Sequence, residues 1–309
     1  MNFFKPKFWD KNRISFFSIL LLPFSSLVRF FNFLKGSFTK THKFSIPIIC
    51  VGNIYLGGTG KTPLSIEIFS ILKKLNMNPA FVRKQYDLYK DEADFQKSIG
   101  PVYQSKKRID AVKEAKQNNV DVVILDDGFQ DFSINKNLSI ICFNEKQWIG
   151  NGFTIPAGPL RNSLSALKKA DCVIINGKKN KNIENKIFSK NGEIKIFYVS
   201  YKLQNANEFK NKKVVAFAGI GNSQNFFDLI EKNNIEMVKT FNYPDHYNFN
   251  KKDILKLKDI AKKMNAFLVT TEKDYLRISS EERENIIFLG INLEINNKEN
   301  FINELKKII

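Results

Sequence analysis

The stretch Ile46-Pro-Ile-Ile-Cys-Val-Gly-Asn-Ile-Tyr-Leu-Gly-Gly-Thr-Gly-Lys-Thr-Pro63 constrains this chain more than any other. An apolar strand runs into glycines, then Lys61-Thr62, then an amphipathic helical pattern, which is the order a phosphate-binding loop requires. Gly57, Gly58 and Gly60, with Thr59 between them, let backbone N–H groups turn toward phosphate oxygens, and the helix beginning near Lys61 adds its positive dipole end. Lys61 reaches the β- and γ-phosphates and the Thr62 hydroxyl suits Mg²⁺. Pro63 is tolerated because a first helical turn has no internal use for its N–H. The strict pattern asks for glycine where Tyr55 stands.

A second acidic element belongs with such a loop. Asp121-Val-Val-Ile-Leu-Asp-Asp127 ends a fully apolar run in two carboxylates, so Asp126 and Asp127 are expected to hold Mg²⁺ directly or through water. A solvated Asp-Asp-Gly turn is the plainer alternative.

From Ser45 onward short apolar runs alternate with helical patterns, which predicts an α/β fold of the P-loop NTPase kind: a mostly parallel sheet flanked by helices. Strands are expected at 46–51, 80–82, 122–125, 139–143, 172–175, 194–199, 214–218 and 266–270, and helices at 63–75, 108–117, 224–232 and 252–263. The polar stretch 177–193 has little apolar periodicity and is expected to join two lobes, 45–177 and 178–309.

Residues 1–44 differ from the rest. The first 45 residues hold eight Lys or Arg against one acid, Asp10, around an apolar stretch from Ile14 to Leu34. Pro23, Arg29, Asn32 and four serines interrupt it, so a helix or helix pair lying in a membrane surface, peripheral or monotopic, is expected ahead of a true span. A signal peptide fits less well, because no small-residue cleavage site follows. The chain's 49 Lys and Arg against 31 Asp and Glu, a net charge of +18, favour anionic partners. No basic stripe or recognised nucleic-acid motif accompanies that charge, so no nucleic-acid partner is expected. Cys50, Cys142 and Cys172 each sit in an apolar run without metal-site spacing, which fits a reducing compartment.

Six segments in order resemble the tetraacyldisaccharide 4'-kinase family of lipid A synthesis: Val51 to Pro63, Leu125-Asp-Asp-Gly-Phe-Gln130, Asn151-Gly-Phe-Thr-Ile-Pro-Ala-Gly-Pro-Leu-Arg161, Val215-Ala-Phe-Ala-Gly-Ile-Gly-Asn222, Tyr243-Pro-Asp-His246 and Thr271-Glu-Lys-Asp274. The loop without its leading glycine is itself similar to the family's form. The resemblance implies transfer of the ATP γ-phosphate to the 4'-hydroxyl of a lipid A disaccharide 1-phosphate at the cytoplasmic face of the inner membrane. It further implies Asp91, in Lys90-Asp-Glu-Ala93, as general base, His246 as its partner, Glu92 near the metal, and Gln130 and Arg161 at the substrate. His246 also reads as an ordinary loop residue and Arg161 as part of a rigid turn. This chain departs from the family at Val82-Arg-Lys-Gln-Tyr86, at Asp131 in place of His, and at Asn162 in place of Glu.

Other classes share parts of this pattern. A membrane-associated GTPase switch would want Asn/Thr-Lys-x-Asp, whereas Thr271-Glu-Lys-Asp274 has the letters in another order. A P-loop kinase for another anionic acceptor or for a soluble metabolite, and a nucleic-acid-binding ATPase, share the same loop.

Overall fold

Where both faces of a strand are covered, its sequence reads as an unbroken apolar run, and the core of this protein is built that way. The computed structural model describes residues 6–9, 14–85 and 90–309, the side chains of 90–92 excepted. Helices α1 (Phe16–Leu20) and α2 (Leu22–Phe38) come first, followed by β1 (Ile48–Gly52), α3 (Lys61–Lys74), β2 (Pro79–Lys84), α4 (Lys90–Lys97), β3 (Val102–Ser105), α5 (Arg108–Gln117) and β4 (Val122–Asp126). Then come β5 (Leu138–Asn144), β6 (Cys172–Asn176), α6 (Lys181–Phe188) and β7 (Lys195–Leu203). The strands lie in the order β7-β6-β5-β1-β4-β2-β3, all parallel. Strands β2, β3 and β4 lie on one side of β1, with β4 returning to pair beside it, and β5, β6 and β7 lie on the other, so β1 marks the switch point beyond whose C-terminal end an open α/β sheet binds ligands. Every residue of β1, β4 and β5 is buried. Burial pushes the Cys50 thiol up to about 11 and Cys172 to about 12, so these cysteines are neutral core side chains.

The rest of the chain forms β8 (Lys213–Ala218), α7 (Ser223–Lys232), β9 (Glu236–Asn242), α8 (Lys251–Lys263), β10 (Phe267–Thr271), α9 (Glu272–Arg277), β11 (Ile286–Leu289), β12 (Ile291–Ile295) and α10 (Lys298–Lys306). A second parallel sheet has the order β11-β10-β8-β9. The expected α/β architecture is therefore present twice. Among the described residues, the larger compact unit takes 6–9, 14–85, 96–200 and 295–309, and the smaller takes 90–95 and 201–294. The expected junction at 177–193 is instead helix α6 with its flanks, inside the larger unit. The chain crosses between units within β7, and 295–309 belong to the larger unit rather than to a C-terminal lobe. The misreading has a physical cause: α6 buries only Ile183 and Ile187, too narrow a stripe to stand out among lysines and asparagines.

Those asparagines have work in the backbone. Asn76, Asn119, Asn234 and Asn265 follow α3, α5, α7 and α8 with positive φ. Asn tolerates the left-handed conformation that ends a helix better than any residue but glycine.

Helices α1 and α2 are amphipathic in an inverted sense. Ser18, Ser25 and Asn32, spaced by seven and so on one helical face, point into the protein. Ser25 Oγ donates to Thr154 O (2.8 Å) and accepts from Ala157 N (3.0 Å). Asn151 donates to Ser18 Oγ (3.1 Å), and Asn32 donates to Arg161 O (3.5 Å). Two of the four serines that interrupt the apolar run, Ser18 and Ser25, thus form the docking face with Asn32, while Ser26 is exposed. The opposite face carries eleven large apolar side chains between Ile14 and Phe38, each more than half exposed. No helix among the described residues is long and apolar enough to cross a membrane.

Candidate active site

The glycine-rich loop leaves β1 and closes on the start of α3. Gly57 and Gly60 have φ of +129° and +89°, conformations that side chains disfavour, and Gly60 caps α3 with no side-chain hydrogen bond to the first turn. The amides around Gly57, Gly58, Thr59, Gly60, Lys61 and Thr62 therefore face the loop as a helix N-terminus suited to phosphate. Thr59 is buried, and Asn53 Nδ2 donates both to its Oγ1 (2.9 Å) and to Gly57 O (3.2 Å). Its side chain fastens the loop and its backbone is what lines it. Tyr55, in the place of the missing glycine, is fully buried and bridges to Leu160. Leu56 N donates to Pro159 O (2.8 Å) and Arg161 N to Ile54 O (2.7 Å), which ties the loop to the turn carrying Arg161.

Both acidic residues at the end of β4 reach this place. Asp126 is 1% exposed. Its Oδ2 accepts from Thr62 Oγ1 (3.3 Å) and Gln96 Nε2 (2.9 Å) and lies 3.2 Å from Arg83 Nη1. Asp127 adopts a φ of +54°, a backbone cost seen where a side chain must be aimed. It meets Arg161 Nη1 at 2.9 Å from each oxygen and Lys61 Nζ at 3.8 Å. Burial alone would raise the Asp127 carboxyl, but Lys61 and Arg161 outweigh it and hold the group below its usual range. Lys61, Thr62, Asp126, Asp127 and Arg161 are thus assembled at one strand-end crevice. Gln130, expected at the substrate, makes bracing contacts, donating to Asn53 O (2.7 Å) and to Asn162 Oδ1 (3.0 Å).

Three residues of this neighbourhood escape sequence reasoning. Arg83 hydrogen-bonds Gln96 (3.2 Å), and the two hold Asp126 from behind. Arg108, 8% exposed, donates to Asp127 O (2.8 Å) and to Asp131 Oδ2 (3.3 Å). An arginine ending the apolar strand at 80–82 was a usable signal; Gln96 and Arg108 offered none. Asp131 also accepts from Ser133 N (3.1 Å) and Ser133 Oγ (2.5 Å). Burial opposes its charge, but Ser133 and Arg108 keep the carboxyl lowered. The departure at this position is accommodated by a local ion pair.

His246 belongs to the smaller unit. Its φ is +57°, its N–H donates to Gly219 O (3.1 Å), Nδ1 lies 3.5 Å from Arg277 Nη2, and Nε2 lies 3.7 Å from Asp245 Oδ1. Asp91 and Glu92 fall on the backbone of α4, and their side chains are outside the described residues.

The sequence profile of the tetraacyldisaccharide-1-P 4'-kinase family matches residues 17–95 and 91–309. The chain is 41% identical over 307 residues to the tetraacyldisaccharide 4'-kinase of Pelagibacter ubique, covering 98% of each protein. It is 34% identical to the Rickettsia canadensis protein of the same name, over 97% of this chain and 95% of that one. Among solved structures it resembles LpxK from Aquifex aeolicus in complex with ATP, with a TM-score of 0.73 over 94% of this chain and 99% of that one; at 22% identity this likeness speaks for the fold.

Proposed function

Because this chain belongs to the tetraacyldisaccharide-1-P 4'-kinase family, we propose that it transfers the γ-phosphate of ATP to the 4'-hydroxyl of a lipid A disaccharide 1-phosphate. The observation that carries this reading is the convergence of the loop amides, Lys61, Thr62, Asp126, Asp127 and Arg161 beyond β1 and β4. Phosphoryl transfer asks a protein chiefly for positioning and charge stabilisation. Loop amides and Lys61 cradle the polyphosphate, and Arg161 offers a guanidinium that suits phosphate oxygens.

The residues present fit Mg²⁺. Thr62 Oγ1 and Asp126 Oδ2 are hard oxygen donors 3.3 Å apart, and this ion is commonly held by one or two protein oxygens with the remaining positions left to phosphates and water. When bound, Mg²⁺ supplies neutralisation of phosphate charge. Asp127 supports the cationic side of the site through Lys61 and Arg161, and Glu92 is assigned near the metal by family resemblance alone. On the same ground Asp91 takes the proton of the acceptor hydroxyl, with His246 as its partner and Gln130 near the substrate.

The acceptor is a lipid, and the protein meets it at a membrane surface, as a peripheral or monotopic protein of the cytoplasmic face of the inner membrane. Support comes from the inverted helices: polar residues of α1 and α2 face the protein while Phe30, Phe31 and Phe33 face outward, with Arg29, Lys35 and Lys40 available to headgroup phosphates.

Purified protein incubated with γ-labelled ATP and lipid A disaccharide 1-phosphate in detergent should yield labelled lipid, and Lys61→Ala and Thr62→Ala should each suppress it strongly. Label appearing only in another phosphorylated acceptor, or near-normal kcat in either variant, would sink the assignment.

A further inference from the structure

A phosphate-binding loop works through the direction of its amides, and in a trans peptide the C=O and the N–H point opposite ways. Holding one therefore aims the other. The peptide between Gly57 and Gly58 is held in this way. Gly57 O accepts from Asn53 Nδ2 (3.2 Å), and Gly57 reaches this arrangement at a φ of +129° that a side chain would disfavour. Asn53 is fully buried, whereas Gly58 is exposed. With the carbonyl drawn toward the interior, the Gly58 N–H is turned toward the open side of the loop.

The Asn53 amide has one orientation open to it. A carbonyl oxygen only accepts, so the atom facing Gly57 O is the nitrogen. The same nitrogen donates to Thr59 Oγ1 (2.9 Å), itself on a buried residue. Both amide donors are thus used on the loop, and Oδ1 is left buried with no hydrogen-bond partner among the described residues. An unmet buried acceptor costs stability. An apolar side chain of similar size would avoid that cost but could not donate to Gly57 O, so the contribution of the amide is to the shape of the loop. Asn53 is itself anchored, because it directly follows β1 and its carbonyl accepts from Gln130 Nε2 (2.7 Å).

We propose that Asn53 is a positioning residue for the nucleotide: by holding Gly57 O on the inner side of the loop, it turns the Gly57–Gly58 peptide so that Gly58 N–H is presented to the polyphosphate. Asn53 touches no phosphate itself and acts through the peptide it holds. This deepens the kinase reading given above and rests on it.

Gly57-Gly58 is the one Gly-Gly pair in the sequence. Protein labelled with glycine carrying ¹³C at its carbonyl and ¹⁵N at its amide therefore shows a single glycine amide coupled to a labelled carbonyl, that of Gly58. Addition of ADP and Mg²⁺ should move this amide downfield in the wild type, as its N–H passes from water to a phosphate oxygen. Asn53→Ala should reduce that movement and weaken ATP on the order of tenfold in both Kd and KM, the scale of one hydrogen bond to a charged group, with KM for the lipid acceptor unchanged. Asn53→Asp isolates the contact to Gly57, because a carboxylate can still accept from Thr59 Oγ1 but cannot donate to Gly57 O; it should weaken ATP at least as much. The proposal is overturned by a wild-type Gly58 amide that nucleotide leaves in place, or by ATP affinity equal to that of the wild type in either variant. The wild-type spectrum needs no variant to fold, and failure of the kinase reading would appear separately, as nucleotide bound without transfer of phosphate to the lipid.

Discussion

Arg161 places a single guanidinium nitrogen 2.9 Å from both carboxylate oxygens of Asp127, while Lys61 stands off at 3.8 Å. The lowered Asp127 carboxyl adds stability that is fully present above the unfolded value, 3.8, and is lost as pH falls through the lower folded value. Arg161→Ala should therefore be destabilised relative to wild type at pH 7, with the gap narrowing below about pH 3.8. Urea midpoints at pH 7 and pH 3 test this; an equal gap at both would separate Arg161 from the charge of Asp127.

Gln96 donates to Asp126 from a wholly buried position, backed by Arg83. Gln96→Ala should raise the Mg²⁺ concentration for half-maximal activity roughly tenfold, as loss of a group orienting a metal-side ligand does. Gln96→Glu should not restore it, since a carboxylate cannot donate to Asp126 and repels it. A metal titration that superimposes on wild type in both variants would make Gln96 a packing residue only.

If Asp91 and His246 serve one proton transfer, their losses should not add. Asp91→Ala and His246→Ala are each expected to cut kcat by about 10²-fold or more, the double variant being little worse than the poorer single. Multiplicative losses would assign them independent roles.

The two faces of α2 should separate cleanly in mutation. Phe30→Asp/Phe31→Asp/Phe33→Asp should abolish sedimentation with anionic vesicles while nucleotide binding persists, because these side chains point away from the protein. Ser25→Ala should instead lower thermal stability, leaving Ala157 N buried without its partner, and Thr154 O with Gly158 N as its donor, at a cost of about 1–3 kcal/mol. Unchanged vesicle binding in the triple variant would remove α2 from the membrane contact.

What could be read from sequence follows burial. Strands β1, β4, β5 and β6 are covered on both faces and announce themselves as apolar runs. β3 and β9 lie at sheet edges, half exposed, and Val102-Tyr-Gln-Ser105 or Glu236-Met-Val-Lys-Thr-Phe-Asn242 reads like loop. At the site, Lys61, Thr62, Asp126 and Asp127 were legible because phosphate and metal chemistry demand those groups next to a glycine loop. Gln96 and Arg108 were not, since their value comes from which helices come to lie against Asp126 and Asp127. Ser18, Ser25 and Asn32 look like interruptions of an anchor; only the helix register reveals them as its inner face.

The excursion of the chain through residues 201–294 and back has a consequence for synthesis. α10 completes the larger unit: Phe301 and Leu305 are fully buried, Phe301 packs edge-on against Phe197 at 5.3 Å, and Lys298 pairs with Glu67 at 2.5 Å. A ribosome that has made the glycine loop and all of β1 to β7 has still not made these residues. At about 5–20 residues per second, the nascent nucleotide unit waits on the order of ten seconds with the surface destined for α10 uncovered, while the smaller unit emerges whole. A premature stop anywhere between residues 201 and 295 would leave that surface bare for good, so such a fragment should meet the cell's chaperones and proteases as a misfolded nucleotide unit rather than as a kinase short of one lobe.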